Sequence, residues 1–256
     1  MSRFAYTTLA AIVAFFAIGA ALRGWTRIWA YTAMWSVYLT VVGLGVGFMR
    51  LNFFGPAICR GRIGRMKVAL TFDDGPDPAA TSALLDLLRR ENIPAAFFCI
   101  GKRVAAHPEI AARIHADGHL LGNHTYHHAP LTAFMGAGGL TGEIALTQKA
   151  IFAATGAVPA YFRPPVGLTN PHFARVLRQA KLSMIGWDVR SLDTFGAAPN
   201  VIARVLRKTR DGSVILLHDG GSSPKRVVEI AGAIIEGLRA RGFGFERLDV
   251  ILNEPR

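Results

Sequence analysis

The sequence predicts an α/β domain with a mainly parallel sheet, preceded by two membrane-spanning helices. Three observations support this prediction. Short apolar runs alternate with amphipathic helical patterns from Lys67 onward, and such alternation is typical of βαβ units. Two uncharged stretches near the N-terminus are each long enough to cross a bilayer. The composition also fits a membrane segment, since 51% of the 256 residues are hydrophobic and the mean hydropathy is +0.31.

The first element is a membrane hairpin within residues 1–50. Its two candidate spans cover about residues 4–22 and 28–49, and the short sequence RGWTR lies between them. A spanning helix needs roughly 20 apolar residues, and both stretches meet that length. As an alternative, the first stretch is a signal peptide, in which Gly19 and Ala21 supply the small residues before a cleavage site.

The second element is a basic juxtamembrane linker at residues 51–66. Residues 1–66 contain seven arginines and no acidic residue, so seven of the twelve net positive charges lie there. The rest of the charge is too diffuse to indicate a nucleic-acid partner. The positive-inside rule instead predicts a membrane protein whose following domain lies in the cytoplasm. If residues 28–49 lie in the interface and do not span, the domain is exported.

The third element is the α/β domain, residues 67–256. Its two clearest helical patterns cover residues 81–90 and 226–241. Seven β/α steps suit one domain, with the sheet either open or closed into a barrel. The strand-like runs fall near residues 67–72, 94–100, 119–123, 160–163, 182–188, 213–217 and 243–248.

Two adjacent aspartates, Asp73 and Asp74, directly follow the first predicted strand of this domain. Their context, TFDDGP, also matches an ordinary solvated turn, because Asp, Gly and Pro are common turn residues. In parallel α/β folds, however, active residues gather at the carboxyl ends of strands. The position of this pair therefore predicts a site at that edge of the sheet.

A histidine cluster, GNHTYHH at residues 122–128, follows the third predicted strand. His124 and His128 are four residues apart, so on one helical turn both imidazoles would face the same side. Two histidines and a carboxylate are a common ligand set for a catalytic zinc ion. The spacing does not exclude His127 as a ligand, and a polar loop with surface histidines is the simpler interpretation.

Two further motifs follow strand-like runs, YFRPPVG at residues 161–167 and SVILLHD at residues 213–219. Arg163 is a natural bidentate partner for a carboxylate. His218 stands at the end of an apolar strand, where it is a candidate general acid–base residue. A plain loop and a structural histidine are the ordinary alternatives.

The four motifs TFDDGP, HTYHH, RPPVG and LLH resemble, in order and spacing, those of the NodB-homology polysaccharide deacetylases, carbohydrate esterase family 4. The resemblance covers about residues 66–250. It implies a distorted (β/α) barrel with fewer than eight strands, here of the (β/α)7 type. It also implies metal-dependent hydrolysis of N-acetyl or N-formyl groups on amino sugars.

The resemblance implies specific roles for residues of this sequence. Asp74, His124 and His128 would bind a divalent metal, with Zn²⁺ as first choice and other divalent transition metals as alternatives. Asp73 would act as general base, oriented by Arg163. The remaining implied positions are the oxyanion-binding backbone N–H of Val166, the general acid His218 with Asp193, and the substrate contacts Leu216 and Trp187.

The sequence departs from the family pattern at three positions. Val166 stands where the family usually has an aromatic residue, and Arg190 and Thr194 replace the Asp and Trp of a D-x-x-D-W motif. Asp193 matches the second Asp, where it could brace Arg163 or tune His218. The predicted membrane hairpin, which contacts lipid, favours a lipid-linked or membrane-proximal amino-sugar glycan. The alternatives are an exported deacetylase of peptidoglycan or another cell-surface polysaccharide, and a non-catalytic carbohydrate-binding membrane protein.

Overall fold

The structure, a computed structural model, describes residues 2–61 and 66–253. Arg62 and Arg65 of the predicted basic linker lie outside the described residues. The helices are α1 (Arg3–Ala21), α2 (Gly24–Gly47), α3 (Ala80–Arg90), α4 (Gly101–Ala106), α5 (Pro108–Ala116), α6 (Ala137–Thr155), α7 (Phe173–Gln179), α8 (Ala198–Lys208), α9 (Pro224–Ala240) and α10 (Leu248–Asn253). The strands are β1 (Lys67–Asp73), β2 (Ala95–Cys99), β3 (Leu120–Asn123), β4 (Tyr161–Phe162), β5 (Ser183–Met184), β6 (Val189–Arg190), β7 (Val214–His218) and β8 (Gly244–Phe245).

All strand pairs named here are parallel, and the sheet curls into a half-barrel. The strand order is β5-β4-β3-β2-β1-β7-β6, and β8 pairs with β1 beside this path. The central strand β1 is in register with β2 through Asp73 and Phe98, and with β7 through Asp73 and His218. The predicted fold class, a parallel α/β domain of distorted-barrel type, is confirmed. The register places Asp73 beside His218 at the carboxyl edge.

The described residues form eight strands, where the sequence predicted seven. The single run predicted at 182–188 is two short strands, β5 and β6, on the two open edges of the half-barrel. The backbone between β5 and β6 does not continue as a strand. Its Gly186 O accepts a hydrogen bond from the Arg163 side chain. The Asp188 carboxylate, in turn, accepts from Val214 N. The apolar run at 182–188 therefore predicted one strand, because the division into β5 and β6 depends on contacts with residues distant in sequence.

Residues of β1 alternate between two environments. The side chains of Val68, Leu70 and Phe72 join a buried cluster with residues of α3 and α9. Burial of such aliphatic and aromatic surface contributes about 25 cal/mol per Å² to stability. Thr71 and Asp73 lie on the other face, where both accept hydrogen bonds from Arg163. The strand period of two thus separates the core from the polar centre of the half-barrel.

Helices α1 and α2 form an N-terminal hairpin, and both are long and apolar enough to cross a bilayer. Their most apolar windows have mean hydropathies of 1.9 and 1.3, and they are 0% and 6% buried. A signal sequence near the N-terminus meets the same criterion. Both domain-proximal ends of the hairpin touch the rest of the chain. Phe4 N donates to Phe53 O at 3.0 Å, and Thr169 N donates to Val46 O at 3.1 Å.

Candidate active site

The carboxyl ends of β1, β3, β4 and β7 bring the motif residues of the sequence together at one edge of the half-barrel. Asp73 ends β1 and His218 ends β7, and the two strands are hydrogen-bonded neighbours. His124 directly follows β3, and Arg163 directly follows β4. Motifs separated by as much as 145 residues therefore converge because parallel strands end at the same edge.

Asp73 is buried and paired with Arg163. Arg163 Nη1 donates to Asp73 Oδ1 at 2.6 Å, and the Asp73 side chain is 5% exposed. The other oxygen, Oδ2, lies 3.8 Å from His124 Nε2. One carboxylate oxygen is thus held by the guanidinium, while the other faces the histidine cluster.

Arg163 is fully buried, and its guanidinium is satisfied on several sides. Besides Asp73, it donates to Thr71 Oγ1 at 2.9 Å, to Gly186 O at 3.0 Å and to Ile185 O at 3.3 Å. The guanidinium carbon also lies 4.0 Å from the centroid of the Phe98 ring. Burial lowers the pKa of Arg163, while the charge and hydrogen bond of Asp73 raise it. A buried charge is tolerated only when it is paired and hydrogen-bonded in this way.

Asp74, His124 and His128 converge on a single point. Asp74 Oδ1 lies 3.5 Å from His124 Nε2 and 3.2 Å from His128 Nε2. One ligand atom from each of the three residues lies within 4.8 Å of the other two. This donor set, two imidazole nitrogens and one carboxylate oxygen, is the set that catalytic zinc sites use while keeping a position open.

The surroundings of these three residues fit a cation. His124 Nδ1 lies 2.7 Å from Arg163 O, so a neutral imidazole that donates there has its Nε2 lone pair directed at the cluster. Asp74 Oδ1 is buried without a hydrogen-bond partner among the described residues. Burial opposes ionisation of Asp74, but its proximity to the imidazoles of His124, His128 and His218 lowers its pKa to about 2.

His127, which the spacing left as a competing ligand, is directed elsewhere. Its Nδ1 lies 2.7 Å from Glu143 Oε1, and its imidazole is 55% exposed. Glu143 Oε2 also accepts from the backbone N–H groups of Tyr126 and His127. The carboxylate of α6 therefore fixes the loop and holds His127 away from the cluster.

The helical turn predicted for His124 and His128 is wrong. Residues 124–128 form an irregular loop, in which Thr125 and His128 have φ angles of 64° and 51°. Thr125 N donates to the buried Asn123 Oδ1, and His128 N donates to Thr125 Oγ1. Two left-handed residues, not an i,i+4 helical spacing, bring the two imidazoles together.

His218 is paired with Asp193. Asp193 Oδ1 lies 2.8 Å from His218 Nδ1, and Asp193 Oδ2 accepts from His218 N at 2.8 Å. Burial by itself would lower the pKa of His218, but the hydrogen bond and charge of Asp193, with the charges of Asp73 and Asp74, raise it to about 9. Of the two roles that the sequence left open for Asp193, the geometry favours tuning His218. Within the described residues, no hydrogen bond joins Asp193 to Arg163.

The turn at Pro165–Gly167 places Val166 three residues after Arg163, on the loop at the carboxyl end of β4. Val166 has a φ of 50° and is 54% exposed. Such a φ is a genuine outlier for a β-branched residue. Gly167 permits the turn to pack on Trp187, because a Cβ at Gly167 would collide with the indole ring. The half-buried Trp187 thus supports the turn and keeps part of its surface accessible.

Leu216 lies on the same face of β7 as His218, two residues deeper in the strand. Its side chain is 2% exposed, so it lies at the floor of the site and offers little surface to a substrate.

Strained backbone concentrates around this site. Left-handed φ values occur at Asp74 (76°), Thr125, His128, Val166 and Leu192 (65°). Each costs on the order of 1–3 kcal/mol and persists only where surrounding contacts enforce it. Such clustering is typical of functional sites.

Three residues at the site were not predicted from the sequence. Glu143 lies on α6 and carries no local motif, so only its hydrogen bonds to the loop reveal it. Asn123 Oδ1 accepts a hydrogen bond from Thr125 N, and Asn123 Nδ2 donates one to Ile144 O. Asp219 is fully buried behind the aspartate pair, where its N–H donates to Asp73 O and its carboxylate accepts from Thr81 Oγ1 at 2.5 Å. Burial raises the pKa of Asp219 to about 7. The sequence signal that could have identified Asp219 as a site residue is its position directly after His218.

Comparison with known proteins gives a consistent result. The family profile described as polysaccharide deacetylase matches residues 61–185. A chitooligosaccharide deacetylase of Bradyrhizobium sp. is 34% identical over 195 residues, which are 70% of this chain and 88% of the relative. The peptidoglycan-N-acetylglucosamine deacetylase PgdA of Listeria monocytogenes is 33% identical over 189 residues, 73% of this chain. The match spans only 39% of the length of PgdA.

A solved structure is similar over most of the chain. The crystal structure of the Bc1960 peptidoglycan N-acetylglucosamine deacetylase superposes with a TM-score of 0.73 at 30% sequence identity. The superposition covers 78% of this chain and 94% of that one.

Proposed function

The chain belongs to the polysaccharide deacetylase family, and from that premise we propose that it is a metal-dependent hydrolase that removes N-acetyl or N-formyl groups from an amino sugar. The observation that carries the proposal is the convergence of three groups at one edge of the sheet. These are the Asp74–His124–His128 cluster, the buried Asp73–Arg163 pair and the Asp193–His218 pair. Together they supply a cation site, a general base and a general acid.

The cation site would be formed by Asp74, His124 and His128. A divalent cation held there would supply Lewis acidity, which polarises the amide carbonyl and lowers the pKa of the attacking water. Zn²⁺ suits the nitrogen-rich donor set, and other divalent transition metals that accept imidazole are the alternatives.

The residues of the chain would perform the proton transfers. Asp73 would accept a proton from the water that attacks the acyl carbon, while Arg163 holds its carboxylate in place. The backbone N–H of Val166 would donate to the developing oxyanion. His218, whose raised pKa keeps it protonated at neutral pH, would give its proton to the amide nitrogen as the C–N bond breaks. Acetate or formate and the free amine are the products.

The substrate we propose is a membrane-proximal glycan, in first place a lipid-linked one. The support is the N-terminal hairpin of two apolar helices, because the end of α2 accepts a hydrogen bond from Thr169, two residues after the turn that carries Val166. In this proposal residues 1–50 are the membrane hairpin, 51–66 the basic linker and 67–256 the cytoplasmic-facing deacetylase domain. Trp187 would line the sugar position, and Leu216 would form the floor beneath the acyl position.

A second candidate is deacetylation of peptidoglycan on the exported face of the membrane. The similarity to proteins named peptidoglycan deacetylases favours it. The loss of an aromatic residue at Val166 removes a stacking surface for a sugar ring and argues against an extended polysaccharide groove.

The experiment that tests the proposal compares glycans by mass. Lipid-linked glycans and peptidoglycan fragments are incubated with the purified chain, with and without Zn²⁺. Loss of one acyl mass per sugar is expected with the wild type and not with Asp74→Ala or His124→Ala. If no amino-sugar substrate loses an acyl group in the metal-loaded wild type, the enzymatic proposal fails and a carbohydrate-binding role remains.

A further inference from the structure

Large apolar side chains stand exposed on three loops at the carboxyl edge of the sheet. Leu131 and Phe134, on the loop after β3, are 66% and 79% exposed. Val166, after β4, is 54% exposed, and Phe195, after β6, is 87% exposed. Single exposed apolar residues are ordinary, but a group of them on one surface marks an interaction site. These four residues, termed the apolar rim, lie on loops at the same edge of the sheet as the candidate active site.

The loop that carries Leu131 and Phe134 is held firmly in place. The buried Asn170 donates from Nδ2 to Ala133 O at 2.9 Å and to Met135 O at 3.0 Å. Thr132, also buried, donates to Ala129 O at 2.6 Å. These hydrogen bonds fix the short 3₁₀ helix Thr132–Phe134 in a position where Phe134 is exposed. The exposure of Phe134 therefore follows from the hydrogen bonds that fix its loop.

The apolar rim is continuous with the attachment point of the hairpin. Thr169, next to Asn170, donates from its backbone N–H to Val46 O and from Oγ1 to Gly45 O at 3.3 Å. One contact path therefore runs from the end of α2 through residues 169–170 to the loop of Phe134. Two cations, Arg3 and Arg50, lie at this same end of the hairpin, and both are exposed.

We propose that the apolar rim is a lipid-contact surface that rests on the bilayer crossed by α1 and α2. Aromatic side chains favour the headgroup region, and apolar tips beside cations are typical of interfacial binding. The arginines at the same end attract anionic lipid. The active site would then open at the membrane surface and receive an amphiphile whose sugar lies among the headgroups. This inference rests on the proposed membrane insertion and on the proposed amino-sugar hydrolysis.

Two other occupants are less consistent with the side chains present. A sugar platform requires flat rings, whereas Leu131 and Val166 are aliphatic. A second copy of the chain would carry the same net charge of +12, and repulsion between like-charged copies opposes that contact, whereas anionic lipid attracts it. A lipid surface accepts aliphatic and aromatic side chains alike.

The test uses the full chain in vesicles of phosphatidylethanolamine and phosphatidylglycerol. Phe134 and Phe195 are replaced, one at a time, by the photoreactive p-benzoylphenylalanine, and Phe152 receives the same replacement as a control. Phe152 is also exposed, at 54%, but it lies in the last turn of α6. A helix rises about 1.5 Å per residue, so Phe152 lies roughly 20 Å along α6 from its start at Ala137, which follows the loop of Phe134.

After illumination, lipid adducts are counted by mass spectrometry of the labelled peptides. We expect at least about tenfold more phospholipid adduct at positions 134 and 195 than at position 152. Adduct levels at both rim positions no higher than at 152, or cross-linking to a second copy of the chain in place of lipid, would overturn the inference.

The same samples separate this inference from the proposed function. Cross-linking requires no turnover, so the Asp73→Asn variant should give the same lipid adducts. If adducts form but no substrate is deacetylated, the lipid-contact surface stands and the enzymatic proposal fails. If deacetylation is observed without adducts at the rim, the enzymatic proposal stands and the lipid-contact surface fails.

Discussion

Asp73 and Asp74 are adjacent in the chain but have separate partners. Asp73 is bound to the buried guanidinium of Arg163, and Asp74 faces the two imidazoles of His124 and His128. Two like charges at neighbouring positions become tolerable because each is compensated by a different group. The left-handed φ of 76° at Asp74 turns its side chain away from the line of the strand and permits this division.

Replacement of Asp73 by Asn should separate catalysis from metal binding. We expect activity to fall by roughly 10² to 10⁴, as for loss of a general base, with metal content retained. The unfolding free energy should also fall, by about 3–5 kcal/mol, because Arg163 is left as an uncompensated buried charge. Metal analysis, thermal unfolding and acetate release measure these three quantities.

A double variant provides the control for Asp73→Asn. Asp73→Asn combined with Arg163→Met removes the unpaired charge, so part of the stability should return while activity stays low. Full activity in the single variant would mean that Asp73 is only a turn residue.

His127 and His128 offer a matched pair for the metal site. His128→Ala should abolish stoichiometric metal binding, since it removes one of three converging ligands. His127→Ala should keep most of the metal, because its imidazole is bound to Glu143 outside the cluster. Metal content after dialysis, measured for both variants, decides whether His127 or His128 is the metal ligand. An empty site in His127→Ala together with a full one in His128→Ala would contradict the ligand assignment.

The Asp193–His218 pair predicts a pH dependence of stability in the chelated protein. The pKa of His218 is raised from 6.5 to about 9, so the extra proton stabilises the folded state. This contribution, roughly 3 kcal/mol, is fully present below about pH 6.5 and is lost as the pH rises to about 9. Asp193→Asn should remove it. The difference in unfolding free energy between wild type and variant should therefore be larger near pH 6 than near pH 9, and a constant difference would exclude the pairing.

At the scale of secondary structure, alternation of apolar runs and helical patterns was sufficient to predict a mainly parallel α/β domain, while its barrel-like shape was implied by the family resemblance. It placed the aspartates, Arg163 and His218 at strand ends, because a parallel strand delivers its last residues to one edge. It did not predict the loop at residues 124–128, whose left-handed residues depend on Asn123 and Glu143. The division of residues 182–188 into β5 and β6 likewise depends on Arg163, which is distant in sequence. Local patterns cannot report contacts of this kind.

The docking of α2 depends on a glycine. A Cβ at Gly45 would collide with the ring of Phe53, whereas a Cβ at Gly43 would meet nothing within 4 Å. Gly45→Ala should therefore cost about 1–3 kcal/mol through overpacking and loosen the contact with Thr169. Gly43→Ala, in the same helix, should be neutral or slightly stabilising. Thermal unfolding in vesicles and protease sensitivity near residues 48–56 compare the two, and equal effects would show that the close contact is not required.

At the scale of the whole molecule, the hairpin and the half-barrel are connected at the functional edge. Phe4 packs against Phe53 and Phe54, and Met49 joins the buried cluster that contains Phe162 and Phe173. The two domain-proximal ends of the hairpin are therefore adjacent, as two crossings of one bilayer require. If both helices cross a bilayer, this attachment fixes the distance between the membrane and the candidate active site, which a flexible linker would not do.

The cationic residues that flank α1 and α2 predict on which side of the membrane the domain lies. If both helices span, the chain enters and leaves on the same side, so the start of α1 and the domain share a compartment. The segment after α2 carries Arg50, Arg60 and Lys67, together with Arg62 and Arg65, whereas the loop between the helices carries only Arg23 and Arg27. The positive-inside rule then places the domain in the cytoplasm. Attraction to anionic lipid, about 1 kcal/mol for each cation near the surface, acts in the same direction.

Fusion of alkaline phosphatase after Arg256 tests this topology, because the enzyme is active only when it is exported. Low phosphatase activity is expected, and a fluorescent protein fused at the same position should be bright. The matched control deletes α2 and keeps α1, which should reverse both signals. Strong phosphatase activity in the intact chain would mean that α2, the less apolar helix with a mean hydropathy of 1.3, does not span. The domain would then face the cell wall, and peptidoglycan would replace a lipid-linked glycan on the cytoplasmic side as the expected substrate.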